Sequence, residues 1–294
     1  MLPAFLAIQA QTEASAPCSR LYRNGLRHVG QINGSNIPTR IESVNFEGDI
    51  HLPVPVQEQI ATSLKQGSWS SEANLNELSN EVGEYARMKW QQNGYFKMEV
   101  KTTETSMLTS NAAEQAVAVN IDVEEGPLYR WGGISFRNAT RFPQEQLRAL
   151  FRFQPGDIFN TDEVRVGLDA LRKLYGSAGY INFTSVPDTQ IDEANRRVSP
   201  IIDGDEGKQF RAGQLVIIGL DQSLAATLRH KWPLKPGDVY NASSVIEFFK
   251  SEEEFLKENA SLFPRPANLT DNSAQQIDEQ NGIITPILDF RPCQ

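Results

Sequence analysis

Two heptapeptides, "QPGDIFN" at residues 154–160 and "KPGDVYN" at 235–241, are nearly identical, and their prolines, Pro155 and Pro236, stand 81 residues apart. A repeat of that length constrains a fold more than any composition does, because each copy must close as the same supersecondary unit. Other features recur at the same interval. "VEEGPLYRWGGISFRN" (123–138) is matched by "GDEGKQFRAGQLVIIGL" (204–220), with Gly126 and Gly207 in phase. An apolar stretch follows each, Ile134 and Phe136 in one and Leu215 to Ile218 in the other, closed by Asn138 or Gly219. These read as strands ended by turn residues.

A short helical pattern comes next, "PQEQLRALFRF" in one copy and "QSLAATLRHKW" in the other. Pro143 suits a first helical position, and Leu147, Leu150 and Phe151 share a face. The heptapeptide then links to a second helix: Pro and Gly stop the first, and Asn160 or Asn241 caps the next. Glu163, three residues after Asn160, predicts a capping box. Val164, Leu168, Leu171 and Tyr175 form one apolar stripe along the second helix. Its counterpart carries Val245, Phe249 and Leu256 but Glu252 at the third place. Extended runs from Tyr180 to Val186 and across "RVSPIIDGDEG" predict a hairpin.

The same template finds a third, decayed copy upstream. "TRIESVNFEGDI" (39–50) is the strand, "VPVQEQIATSLKQG" and "NLNELSNEVGEYARMKWQQNGYF" are the helices, and "KMEVKTTE" with "AVAVNIDVEEG" is the hairpin. "KQGSWSS" stands where the heptapeptide would be. The pattern predicts an α+β fold: a tandem array of three β-α-α-β-β domains, each a three-stranded mixed sheet with two helices on one face. The hairpin and a right-handed crossover place the third strand in the middle, with the first and second as edges. The expected boundaries are 39–126, 127–209 and 210–294, after an export remnant (1–16) and a leader (17–38).

Composition narrows the function. A formal net charge of −9 and a sequence pI near 5.0, with no cluster of Lys and Arg, exclude nucleic acid as a partner class. "MLPAFLAIQAQTEASAPC" resembles the end of a secretory signal, although a basic stretch ahead of it is missing; a frayed apolar terminus of a cytosolic protein is the alternative. No later segment reaches the ~20 apolar residues of a membrane-spanning helix, so no transmembrane span is expected. The three histidines are scattered and no C-x-x-C occurs, which leaves no metal site, cofactor site or redox pair to predict. No nucleophile-base pattern, P-loop or metalloprotease motif is present, and no enzymatic activity is expected. The carboxylates of Glu124-Glu125 and Glu252-Glu253-Glu254 read as a strand end and a solvated helix face.

The letters "GPLYRWGGISFRN", "PGDIFN", "LDALRKLYGSAGYIN" and the closing "DEG" resemble the POTRA (polypeptide-transport-associated) domain, whose periplasmic repeats precede the β-barrel in outer-membrane assembly factors and two-partner secretion transporters. The resemblance covers about 39–294 and is strongest over 127–209. Its motif is structural, so it carries no catalytic residue. No barrel-length set of strands follows the third copy, which points to a detached array, an accessory subunit, or a fragment of a split barrel gene.

The resemblance implies a periplasmic scaffold for unfolded or extended polypeptide clients, with an outer-membrane β-barrel protein as a further partner. The physics would be β-augmentation at a sheet edge, where main-chain pairing gives affinity without sequence preference. By the family's pattern the second strand receives, here residues 95–103 and 180–186, with Phe96, Met98, Val100, Ile181, Phe183 and Ser185 as candidate edge residues. Lys97, Glu99 and Lys101 equally suit guards against aggregation, and the uncharged "INFTSV" is the more inviting edge. The alternative is an interaction module that docks one specific folded partner of an envelope complex. In an oxidising compartment Cys18 and Cys293 could form a disulfide, since the leader from Cys18 to Thr39 reaches about 3.3 Å per residue; free thiols and an intermolecular bond stay open.

Overall fold

The computed structural model describes residues 39–67, 69, 75–110, 115–258 and 273–291. They fall into two compact units. One takes in the chain from residue 39 to Tyr175 together with Asn182–Gly207, and the other takes in Gly176–Ile181 and the chain from Lys208 to residue 291.

The first unit holds two sheets. In the first domain β1 (Thr39–Glu47), α1 (Val54–Gln66), α2 (Leu75–Gln92), β2 (Glu99–Ser110) and β3 (Gln115–Glu124) follow in that order. The sheet order is β1-β3-β2, with β1 parallel and β2 antiparallel to the central β3. Alternation in "AVAVNIDVEE" dictates this placement: Val117, Val119, Ile121 and Val123 point to one face and are buried. Against them α1 lays Ile60 and Leu64, and α2 lays Leu78, Val82, Ala86 and Trp90. Each of the buried Val, Leu and Ile side chains contributes about 1.5–3 kcal/mol of burial.

The second domain of this unit has β4 (Arg130–Trp131), β5 (Ser135–Arg137), α3 (Gln144–Arg148), α4 (Thr161–Ser177), β6 (Thr184–Asp192) and β7 (Arg197–Asp205). β7 is central, flanked by antiparallel β6 on one side and parallel β4 and β5 on the other. The first strand is therefore split where one continuous strand is predicted. Arg130 and Trp131 pair with Arg197 and Val198, and pairing resumes only at Ser135 with Ile201. The interruption falls opposite Pro200, which has no N–H to give to a neighbour. α3 is also shorter than the pattern predicts, ending at Arg148.

The second unit repeats the plan with β8 (Arg211–Ala212), β9 (Val216–Ile218), α5 (Gln222–Lys231), α6 (Ala242–Glu258), β10 (Ser273–Asp278) and central β11 (Ile283–Asp289). Its first strand is split again, between β8 pairing at Ile284 and β9 pairing at Ile287, and Pro286 occupies the gap in β11. Phe210, Leu228, Tyr240, Leu256, Ile284 and Phe290 form its core.

The heptapeptides explain the recurrence in atomic terms. In one, Asp157 accepts from the Gln154 amide at 2.6 Å, its own amide donates to the Gln154 carbonyl, and its carbonyl accepts from the Trp131 amide at 2.8 Å. In the other, Asp238 does the same with Lys235 and Ala212. Phe159 and Tyr240 then donate their amides to the carbonyls of Tyr129 and Phe210. Each heptapeptide thus lies along the outer edge of the first strand as well as breaking one helix and starting the next. Asn160 caps α4 by accepting from Asp162 and Glu163, and Asn241 caps α6 by accepting from Ser244. The return arm predicted for Glu163 is not made; its Oε2 is buried without a partner.

Glu252 departs from the solvated reading. It is buried at the place Leu171 holds in α4, and Lys231 Nζ donates to its Oε2 at 2.5 Å. A carboxylate buried among apolar side chains is tolerated when a partner charge meets it, and here the exposed Lys231 reaches in from the surface to do so.

Candidate functional site

Among the described residues each sheet has one face covered by helices and one face open, and the second strand forms an edge in all three. In the first domain this is β2, twelve residues long, with no partner on its outer side among the described residues. Its charges are concentrated at the start, in Glu99, Lys101 and Glu104; from Thr105 to Ser110 it carries none. Lys101 is tied to Glu124 and Glu99, and those bonds raise its pKa above the ordinary lysine value. Charge is therefore confined to the first half of the edge, whereas the second half exposes Met107 and Leu108, 42% and 49% exposed.

In the second domain the edge is β6. Val186 is 67% exposed beside Thr184 and Asp188, and these line a shallow groove of ≈ 780 Å³ on the open sheet face with Ile201, Asp203 and Arg137. Pro187 sits within β6, opposite Ile202. A proline fits an edge strand when its nitrogen lies on the outer side, so the outer row of β6 lacks a donor at this point.

The six candidate edge residues divide. Val100 and Ser185 lie in β2 and β6, half-buried. Phe96 and Met98 precede β2: Phe96 meets Phe159 edge-on at 5.2 Å, and Met98 is part of the first core. Ile181 and Phe183 precede β6: Ile181 packs into the core of the second unit, and Phe183 stacks on Tyr175 at 3.9 Å. The strands thus begin later than the pattern predicts, at Glu99 and Thr184, because the residues ahead of them are used in packing. Cys18 and Cys293 lie outside the described residues.

Two features escape prediction. The first is a carboxylate repeated at the end of the central strand. Glu125 Oε1 accepts from the Leu52 amide (2.8 Å) and Trp90 Nε1 (2.9 Å), while its Oε2 accepts from the His51 amide. Glu206 accepts from the amides of Thr140 and Arg141 and from the hydroxyls of Thr140 and Tyr175. Both tie the turn before the first helix to the sheet. Burial pushes the pKa of Glu206 up, but the bonds from Arg141, Tyr175 and Thr140 outweigh it and leave the carboxyl below its ordinary value. The "EEG" and "DEG" at the same phase were the available signal.

The second is the joint between the two domains of the first unit. Tyr129 donates its amide to the Gly94 carbonyl at 2.8 Å and its hydroxyl to Glu193 at 2.5 Å, and Lys97 completes the set by pairing with the same carboxylate. The second unit repeats the main-chain part, with the Phe210 amide donating to the Gly179 carbonyl at 2.8 Å. Among the described residues no group of three or more His, Cys, Asp or Glu could hold a metal, and no helix is long and apolar enough to cross a membrane.

A family model for the POTRA domain, described as a surface antigen variable number repeat, matches residues 129–207. A putative outer membrane protein assembly factor of Treponema pallidum is 25% identical over 215 residues, 72% of this chain and 26% of that protein. The outer membrane protein assembly factor BamA of Neisseria meningitidis is 21% identical over 216 residues, 70% of this chain and 26% of its own length. The chain therefore spans about a quarter of the curated relatives it matches. The crystal structure of POTRA3-5 of Haemophilus influenzae BamA aligns with a TM-score of 0.59 at 20% identity, covering 90% of this chain and 100% of that one. That likeness is one of fold, and it agrees with the three sheets and six helices seen here. Residues 129–207 thus match the POTRA family model, and the chain as a whole shares the fold of tandem POTRA domains.

Proposed function

We propose that this protein is a non-enzymatic periplasmic scaffold in outer-membrane protein assembly, receiving extended polypeptide clients, outer-membrane β-barrel chains among them, by β-augmentation. The observation that carries the reading is the outer edge of β2 from Thr105 to Ser110, uncharged, exposed from Ser106 onward and, among the described residues, unpaired. A client strand laid there satisfies main-chain donors and acceptors on both sides without calling for a particular sequence. β6 is the secondary edge, because Pro187 interrupts its row of donors. The relatives named as assembly factors support the same process.

The experiment is an amide-resolved titration of the protein with unfolded peptides copied from outer-membrane β-strands. Shifts should concentrate at residues 105–110, with weaker ones around Thr184 to Ser185. Silence along both edges, with capture of a single folded partner instead, would replace this reading by the docking-module alternative.

A further inference from the structure

The two heptapeptides lie along the outer edge of the first strand, and the isolated bridges Arg130–Ile158 and Arg211–Val239 are where they touch it. In the first domain the corresponding bridge joins Trp69 to Thr39, and β1 beyond it runs as one strand to Glu47 with no outer partner among the described residues. The first strands of the other two domains are also cut into pieces of two and three residues, whereas β1 has nine. β1 is thus a long first-strand edge open to pairing, on the opposite side of the sheet from β2.

The side chains of β1 say what fits it. A bulge between Ile41 and Ser43 shifts the alternation by one. Ile41, Val44 and Phe46 consequently all face the first core, while Arg40, Asn45 and Glu47 are exposed on the other face. An antiparallel partner that places Val44 opposite Val44 of a second copy matches every position. Ile41 then lies opposite Phe46, Arg40 opposite Glu47, and Asn45 opposite the bulge, twice each by symmetry. Opposed residues share a face, so apolar meets apolar and positive meets negative. Among the described residues these charges make local contacts, Arg40 with Glu42 at 3.9 Å and Glu47 with the Asn45 side chain at 3.1 Å, which are free to exchange.

We propose that β1 is a self-association edge: two copies of this chain join antiparallel through β1 about a two-fold axis at Val44, making one six-stranded sheet. Six strands is an ordinary sheet size, and a two-fold contact between identical edges closes on itself. Client capture on β2 is unaffected, since β2 is the far edge of each half.

Sedimentation equilibrium of the full chain over a range of concentrations tests this, together with Arg40→Glu, Glu47→Arg and the double exchange. The native chain should dimerise, and each single exchange should weaken the dimer by roughly tenfold or more, because both symmetry-related attractions become repulsions. The double exchange should restore it. Unchanged thermal melts of the exposed-site variants would show that the fold is kept. A monomer at all concentrations, a dimer indifferent to the single exchanges, or no rescue in the double variant would each overturn the proposal. So would a monomer whose β1 amides respond to an added extended peptide, which would give the edge to a client.

Discussion

Glu206 accepts the phenolic hydrogen of Tyr175 at 2.8 Å, joining the end of the central strand of the second domain to the last turn of its long helix. The same carboxylate holds the amides of Thr140 and Arg141, so one side chain fixes three segments. Glu206→Ala leaves two main-chain donors and two hydroxyls without their acceptor and should lower stability by about 2–3 kcal/mol in urea unfolding. Tyr175→Phe removes one of these bonds but keeps the stacking on Phe183, and about 1 kcal/mol is expected.

Acid should act through the same group. The folded carboxyl titrates below its ordinary value. Its contribution is therefore complete above the unfolded pKa and is lost as pH falls through the folded one. Unfolding of Glu206→Gln followed from pH 7 downward should show a shallower acid decline than the native protein.

At the domain joint the phenol of Tyr129 is pushed up to about 12, first by burial and then by its bond to Glu193. Burial likewise takes Tyr240 to about 12. Both shifts favour the protonated form in the folded state, so the associated stability is present below pH 10 and falls as pH rises toward 12. Absorbance titration should show Tyr129 and Tyr240 ionising late. In Glu193→Gln the Tyr129 step should move down while the Tyr240 step stays in place.

Gly94 and Gly179 hold the two joint carbonyls with φ of 93° and 87°. A methyl group on Gly94 would fall 2.5 Å from Ile158 Cγ2 and 2.7 Å from Leu128 Cδ1, ends of side chains that can give way. On Gly179 it would fall 2.8 Å from the Phe210 carbonyl oxygen, which is main chain and cannot. Both alanine variants carry roughly 1–2 kcal/mol of left-handed strain, and Gly179→Ala should cost clearly more than Gly94→Ala in denaturant unfolding.

The architecture was legible because the signals that encode it are local. Capping by Asn160, the stripe through Leu171 and Tyr175, and the alternation Val117 to Val123 each depend on neighbours within a few residues. The split first strand was harder to see, since its cause is a proline elsewhere in the chain: Pro200 lies opposite the gap only after β7 takes the centre of the sheet. The starts of β2 and β6 were misplaced for a similar reason. Phe96 and Phe183 read as strand residues by type, and only tertiary packing against Phe159 and Tyr175 takes them out of the edge. Glu252 was legible as an oddity in an apolar stripe but not as a pair, because Lys231 comes from another helix.

The role of β6 turns on a single residue. Pro187 removes one donor from its outer row, and Val186 beside it is the most exposed of the large apolar side chains among the described residues. If an extended client adds to sheet edges by main-chain pairing, supplying that donor should open β6 to it. Pro187→Ala restores the N–H and touches no core residue on the outer side, so folding stability should change by less than about 1 kcal/mol. Peptide titration of this variant should give new amide shifts from Ser185 to Thr189 beside those at Thr105 to Ser110, and tighter overall binding. Equal affinity with an unchanged pattern would mean that clients do not recognise the β6 edge through its backbone.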